Sequence, residues 1–201
     1  MKHLKMLGAA AAAAVALMAL LGGSAASATV LCKTETNPCS AVYPAVTTEF
    51  KADLASAQSI FELADEEHLE FSRCSKETFT ASISNAGSWF STVVAPVTAL
   101  EFSECVGFTK SVTIGSLDVH SIAETNDGTV TVSELEITVN VAGADCKWRA
   151  TNADLGILEG GSDPTLKINL VLARNSFCYP ESLGRWTATF TFTSPIYVEP
   201  S

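Results

Sequence analysis

The sequence predicts an all-β protein, a disulfide-stapled β-sandwich or related barrel of about ten short antiparallel strands. Three observations carry that prediction. Apolar residues recur at every second position through most of the chain, the pattern of strands with one face buried and one in water. Turn signals such as Asn85-Ala86-Gly87, Asn126-Asp127-Gly128 and Gly160-Gly161-Ser162-Asp163-Pro164 interrupt the alternation, roughly every 8–12 residues. One strand-like motif occurs twice, as Leu69-Glu70-Phe71-Ser72-Arg73-Cys74 and Leu100-Glu101-Phe102-Ser103-Glu104-Cys105, each copy ending on a cysteine.

Residues 1–28 read as a secretory signal. Lys2, His3 and Lys5 form a basic start, Met6 to Leu21 an apolar run, and Ala26-Ser27-Ala28 a small-residue cleavage site, so cleavage is expected after Ala28. Leu31 directly before Cys32, where a lipoprotein signal wants a small residue, argues against lipidation. Residues 29–44 are expected to form an N-terminal disulfide loop and residues 45–201 a single β-rich domain, because no Gly/Ser-rich or Pro-rich linker divides them.

Within that domain Phe50, Ala52 and Leu54 alternate with Glu49, Lys51 and Asp53. Ser59 to Leu63 reads as a further strand, with a helix over 53–67 as the alternative, since Ala, Gln and Glu there also suit a helix. Phe79, Ala81 and Ile83 continue the alternation up to the Asn85 turn, and Ser88 to Val94 form a β-rich run before Pro96. Val112, Ile114 and Leu117 to Ile122 lead into the Asn126-Asp127-Gly128 hairpin tip. Beyond it Val130 and Val132 hold one parity, and Leu135, Ile137, Val139 and Val141 the other. A two-residue period cannot change phase without an interruption, so a bulge or break is predicted at Ser133-Glu134. Cys146, Trp148 and Ala150 share a face, Leu166, Ile168, Leu170 and Leu172 form a strand, and Trp186, Ala188, Phe190 and Phe192 are the inward side of the last long one.

The six cysteines, Cys32, Cys39, Cys74, Cys105, Cys146 and Cys178, all lie beyond the expected signal. An even number in an exported chain points to disulfides. The favoured pairing is Cys32–Cys39, Cys74–Cys105 and Cys146–Cys178, contributing roughly 2.5, 3.7 and 3.7 kcal/mol by loop entropy. A rival set joins Cys74 to Cys146 and Cys105 to Cys178.

The formal net charge is −10 for the whole chain. Such a surface repels phosphate backbones, and no local Lys/Arg cluster reverses it, so nucleic acid is not an expected partner. For chemistry, His68 lies in an acidic run with Glu62, Asp65, Glu66, Glu67 and Glu70, but neither EF-hand nor H-E-x-x-H spacing occurs there. His120 falls in a strand beside Val119. A G-x-S-x-G elbow is absent, and thiols held in disulfides supply no thiolate. Trp89, Trp148, Trp186, Tyr43, Tyr179 and Tyr197 are candidate sugar platforms, although Trp148 and Trp186 sit on inward parity. Thr187, Thr189, Thr191 and Thr193 make an outward ladder of the kind used in ice-binding arrays.

At the Cys32/Cys39 start, the two repeat-ending cysteines, Cys178-Tyr179-Pro180, Trp186-Thr187-Ala188-Thr189-Phe190 and Pro195-Ile196-Tyr197-Val198, the chain resembles uncharacterised secreted β-rich proteins of soil actinobacteria. The resemblance implies export and a disulfide-bearing β domain, and transfers no functional residue. The expectation is a secreted, monomeric, non-catalytic domain that binds at the cell envelope or outside it, with a cell-wall polymer or glycan as the possible ligand. No catalytic residue, cofactor or metal is assigned. The alternative is a carboxylate-dependent extracellular hydrolase of glycosidase type, which needs two acids converging in a cleft.

Overall fold

The structure, a computed structural model, describes residues 29–36, 38–46, 48–55, 58–64, 69–88, 91–107, 109–141, 143–176 and 183–200. The fold is all-β, and its strands pair antiparallel throughout. In chain order they are β1 (Thr29–Cys32), β2 (Glu49–Leu54), β3 (Ser59–Leu63), β4 (Glu70–Ser82), β5 (Asn85–Ser88), β6 (Ser91–Gly107), β7 (Thr109–Ile114), β8 (Ser116–Ser121), β9 (Gly128–Val141), β10 (Ala144–Glu159), β11 (Thr165–Arg174), β12 (Gly184–Phe192) and β13 (Tyr197–Pro200). The class is the one the alternation predicts, but among the described residues the strands number thirteen rather than about ten, and four of them run to between 13 and 17 residues.

The main sheet curls back on itself. From β4 the pairing runs through β6, β8, β9, β10, β11 and β12. β12 then meets β3 along Gly184–Thr187 and β2 along Phe190–Phe192, and both of these short strands return to β4. The inward face of this sandwich-like body is apolar because each strand contributes its alternate positions. Leu166, Ile168, Leu170 and Leu172 of β11 face Phe190, Ala188, Trp186 and Gly184 of β12 in direct register.

Aromatic side chains fill the interior in two groups. Trp148 packs on Phe61 and Phe71 with centroids 5.3 and 5.1 Å away, while Phe79 packs on Phe190 at 5.9 Å and Phe50 on Tyr43 at 4.8 Å. Gly184 admits the first group, since a Cβ there would stand 2.6 Å from Phe61 Cζ and 3.0 Å from Trp148 Cδ1. Burial of both Trp148 and Trp186 follows their parity and removes them as sugar platforms. Trp89 and Tyr179 lie outside the described residues.

The predicted break at Ser133-Glu134 is present. Both residues leave the core between buried Val132 and Leu135. On one side β7 and β8 are interrupted at Gly115, whose N–H donates to Glu134 O at 2.7 Å, while Ser133 Oγ accepts Ser116 N–H at 2.9 Å. On the other side Asn152 of β10 is left-handed, with φ 47°. A second phase change, not anticipated, falls on β4, where Ser75 and Lys76 are both exposed between buried Cys74 and Glu77. Opposite them Glu104 of β6 is left-handed at φ 53°.

Two readings are corrected, and the strand expected over Ser59 to Leu63 is present as β3. Thr29–Cys32 is no loop but a fully buried strand, because β13 supplies its ladder partners, from Thr29 with Pro200 to Cys32 with Tyr197. The helical alternative over 53–67 gives way to strands, since β2 and β3 each bury alternate residues between β12 and β4, although 56–57 and 65–68 lie outside the described residues. Asn85-Ala86-Gly87 is not a turn but part of β5, paired with Val94 and Val93 of β6.

Two disulfides follow the favoured pairing, Cys32–Cys39 and Cys74–Cys105. Cys74 and Cys105 are direct cross-strand partners, so the two repeat copies diverge from a shared sulfur bridge. The rival pairing is excluded. Cys146 is oxidised as well, and Cys178 lies outside the described residues. Disulfides of this kind are consistent with an oxidising, extracellular setting. The predicted signal, residues 1–28, lies outside the described residues too.

Candidate functional site: a buried carboxyl beneath an open seam

Several consecutive strands do not pair with each other, but β2 and β3, β4 and β5, and β7 and β8 each lie along a shared partner strand, whereas β6 and β7 share none. β6 and β7 are joined at residue 108, yet β6 bonds to β4 and β7 bonds to β9. The link across them is made at their far end, where Val97 N–H donates to Gly115 O at 3.1 Å. Between that link and the connection the two arms splay. They leave a cleft of about 500 Å³ lined by Leu100, Phe102, Ser103, Glu104 and Cys105 of β6 and by Ser111 and Val112 of β7.

Beneath the cleft lies a chamber of about 10 Å³, room for about one water molecule. It is lined by Ser59 and Phe61 of β3, Ser72, Cys74 and Glu77 of β4, Phe102 of β6, Val112 of β7, Ile137 of β9 and Trp186 of β12. Phe102 and Val112 line both spaces, and the Cys74–Cys105 bridge has one cysteine on each. A larger interior void, about 30 Å³, is lined by apolar side chains such as Leu31, Phe79 and Leu158. The chamber therefore differs in chemistry as well as position.

Glu77 gives it that chemistry. The residue is 3% exposed, and among the described residues no group stands in hydrogen-bond geometry with either carboxylate oxygen. Loss of hydration raises its pKa from 4.5 to about 7. Ser59 acts against the rise, although its Oγ, held where it accepts Trp186 Nε1–H at 2.8 Å, lies outside bonding geometry with Glu77. An orphaned carboxyl inside a protein is costly, and most buried polar atoms have partners. Here the sheet places it inward because it shares the parity of Phe79, Ala81 and Ile83, beyond the phase change at Ser75-Lys76.

At the cleft rim Glu104 is engaged by Lys76 and by Ser75 Oγ at 3.1 Å, and these bonds hold its carboxyl below the usual range. Glu104 is exposed while Glu77 is enclosed, so the site does not present two acids converging on one cleft as a glycosidase requires.

The other residues singled out from the sequence lie elsewhere. His68, Asp65, Glu66 and Glu67 are outside the described residues. Glu62 and Glu70 are cross-strand neighbours, with Glu70 bound to Arg73 and Glu62 4.0 Å from Arg185. His120 of β8 pairs with Thr129 of β9. Thr191 stands beside Thr165, but Thr187 and Thr189 stand beside Asn169 and Lys167, so the ladder extends at one position and makes no array there. Glu35, Glu124 and Glu199 surround a separate hollow of about 280 Å³, where burial and the charge of Glu35 raise the pKa of Glu199. Among the described residues no three His, Cys, Asp or Glu side chains are assembled to hold a metal. No protein-family model matches the chain, and no curated protein or solved structure matches it.

Proposed function

We propose that this chain is a non-catalytic binding domain of the extracellular space or cell envelope, and that its ligand enters the seam between β6 and β7. The observation that carries the reading is the splayed hairpin lying directly over an unsatisfied interior carboxyl. Ladder bonds need not break for a ligand to part the two arms, and the floor offers a polar group that protein atoms leave free. The disulfides and the apolar start of the chain support an exported protein.

Retention of the purified protein on cell-wall polymers and on a glycan array tests the proposal, with Ser111→Trp as the blocked form, since Ser111 lines the cleft and is exposed. Binding by the native chain, lost in Ser111→Trp, is the expected outcome. Equal retention of both forms, or turnover of a glycoside without retention on any surface, overturns it.

A further inference from the structure

The Glu77 chamber has the makings of a cation-recognition pocket: one carboxyl without a protein partner, the aromatic side chains of Phe61, Phe102 and Trp186, and no other ionisable group on its walls. Cys74, the remaining group that would otherwise titrate, is held in its disulfide. Aromatic faces attract cations, and the attraction strengthens where water is excluded. A neutral donor would satisfy one carboxyl oxygen. A primary ammonium presents three donors and a full positive charge in the space of a single water, which matches the chamber's size.

We propose that Glu77 recognises the primary ammonium group of a ligand whose narrow apolar stem passes between Phe102 and Val112 into the β6–β7 cleft. The inference rests on the reading of the seam as a ligand entrance and names the chemistry at its floor. The stem has apolar contacts to make, because Leu100, Phe102 and Val112 line the cleft. The ligand class is thus an alkylamine or a lysine-like side chain. The residues facing Glu77 are Ser59 and Phe61 from β3, Phe102 from β6, Val112 from β7, Ile137 from β9 and Trp186 from β12; Glu104 at the cleft rim is held ionised by Lys76 and Ser75, so among the described residues Glu77 is the group whose protonation governs binding. An alkylammonium keeps its charge across neutral pH and needs Glu77 ionised, so each binding event below neutrality displaces a proton from the carboxyl to solvent.

The probe is n-butylammonium chloride, titrated into the full-length exported protein while the Trp186 Nε1–H resonance is followed by NMR. That group donates to Ser59 inside the chamber and reports on it directly. Saturable shifts are expected, with affinity about thirtyfold tighter at pH 8 than at pH 5.5. Glu77→Gln keeps the side-chain shape and is expected to weaken binding at least about tenfold and to abolish the pH dependence. Saturable binding that is equal in Glu77→Gln but lost in Ser111→Trp would overturn this inference while leaving the seam as a binding site. An unmoved Trp186 resonance overturns the inference whatever the glycan array shows, and the array with Ser111→Trp decides the seam reading separately.

Discussion

Glu77→Gln is expected to remove a penalty that grows with pH. Ionising a carboxyl whose pKa has been raised from 4.5 to about 7 costs the folded state on the order of 3 kcal/mol. The sign follows from linkage. Below pH 4.5 the carboxyl is protonated in both folded and unfolded chains and costs nothing extra; between 4.5 and about 7 the unfolded chain ionises first and stability falls; above 7 the full cost is present and constant. Glutamine cannot ionise, so the native protein should lose on the order of 3 kcal/mol relative to Glu77→Gln between pH 4.5 and pH 8. At roughly 2–4 °C per kcal/mol for a domain of this size, that corresponds to a relative Tm change of about 6–12 °C. Chemical denaturation of both forms over this range, compared pH by pH, isolates Glu77 from other groups such as Glu199 that titrate in both. A native-minus-variant difference that stays flat, or rises with pH, refutes the burial argument.

Further predictions follow from packing and covalent structure. Replacing Cys74 and Cys105 together with alanine should cost about 3.7 kcal/mol through the loop of sequence separation 31, measured as a lower denaturation midpoint. Gly184→Ala should cost about 1–3 kcal/mol, because its Cβ would press on Phe61 and Trp148, and it should change the tryptophan near-UV circular dichroism. Trp186→Phe deletes the indole donor to Ser59 at a cost of about 1–2 kcal/mol. Released from that anchor, the Ser59 side chain can rotate and donate its O–H to Glu77, so the Glu77 pKa should fall, visible as a shallower pH dependence of stability.

Much of the scaffold was legible in the sequence because sheet periodicity is local. The reversal of parity between Val132 and Leu135 sufficed to place a break at Ser133-Glu134, and the structure realises it with Gly115 on one side and a left-handed Asn152 on the other. The twin Leu-Glu-Phe-Ser-x-Cys motifs marked the strands joined by Cys74–Cys105. Strand β1 escaped notice because Thr-Val-Leu-Cys is too short to show a period, and its partner β13 lies at the other end of the chain.

Glu77 was within reach. Extending the alternation of Phe79, Ala81 and Ile83 back by two positions lands on it, and a charged residue on an inward parity is the signal. The second phase change at Ser75-Lys76 disguised it, since counting from Cys74 puts Glu77 on the solvent side. The seam could not be read at all. It depends on β6 choosing β4 and β7 choosing β9, a choice between distant strands that no local pattern encodes.

The most direct test is the titration of Glu77 itself, followed through the side-chain carboxyl carbon in protein labelled with 13C at glutamate and assigned by comparison with Glu77→Gln. The account predicts one glutamate with a midpoint near 7 in the free protein, displaced downward by saturating n-butylammonium. A midpoint at the ordinary 4.5, or one that the cation leaves in place, contradicts it.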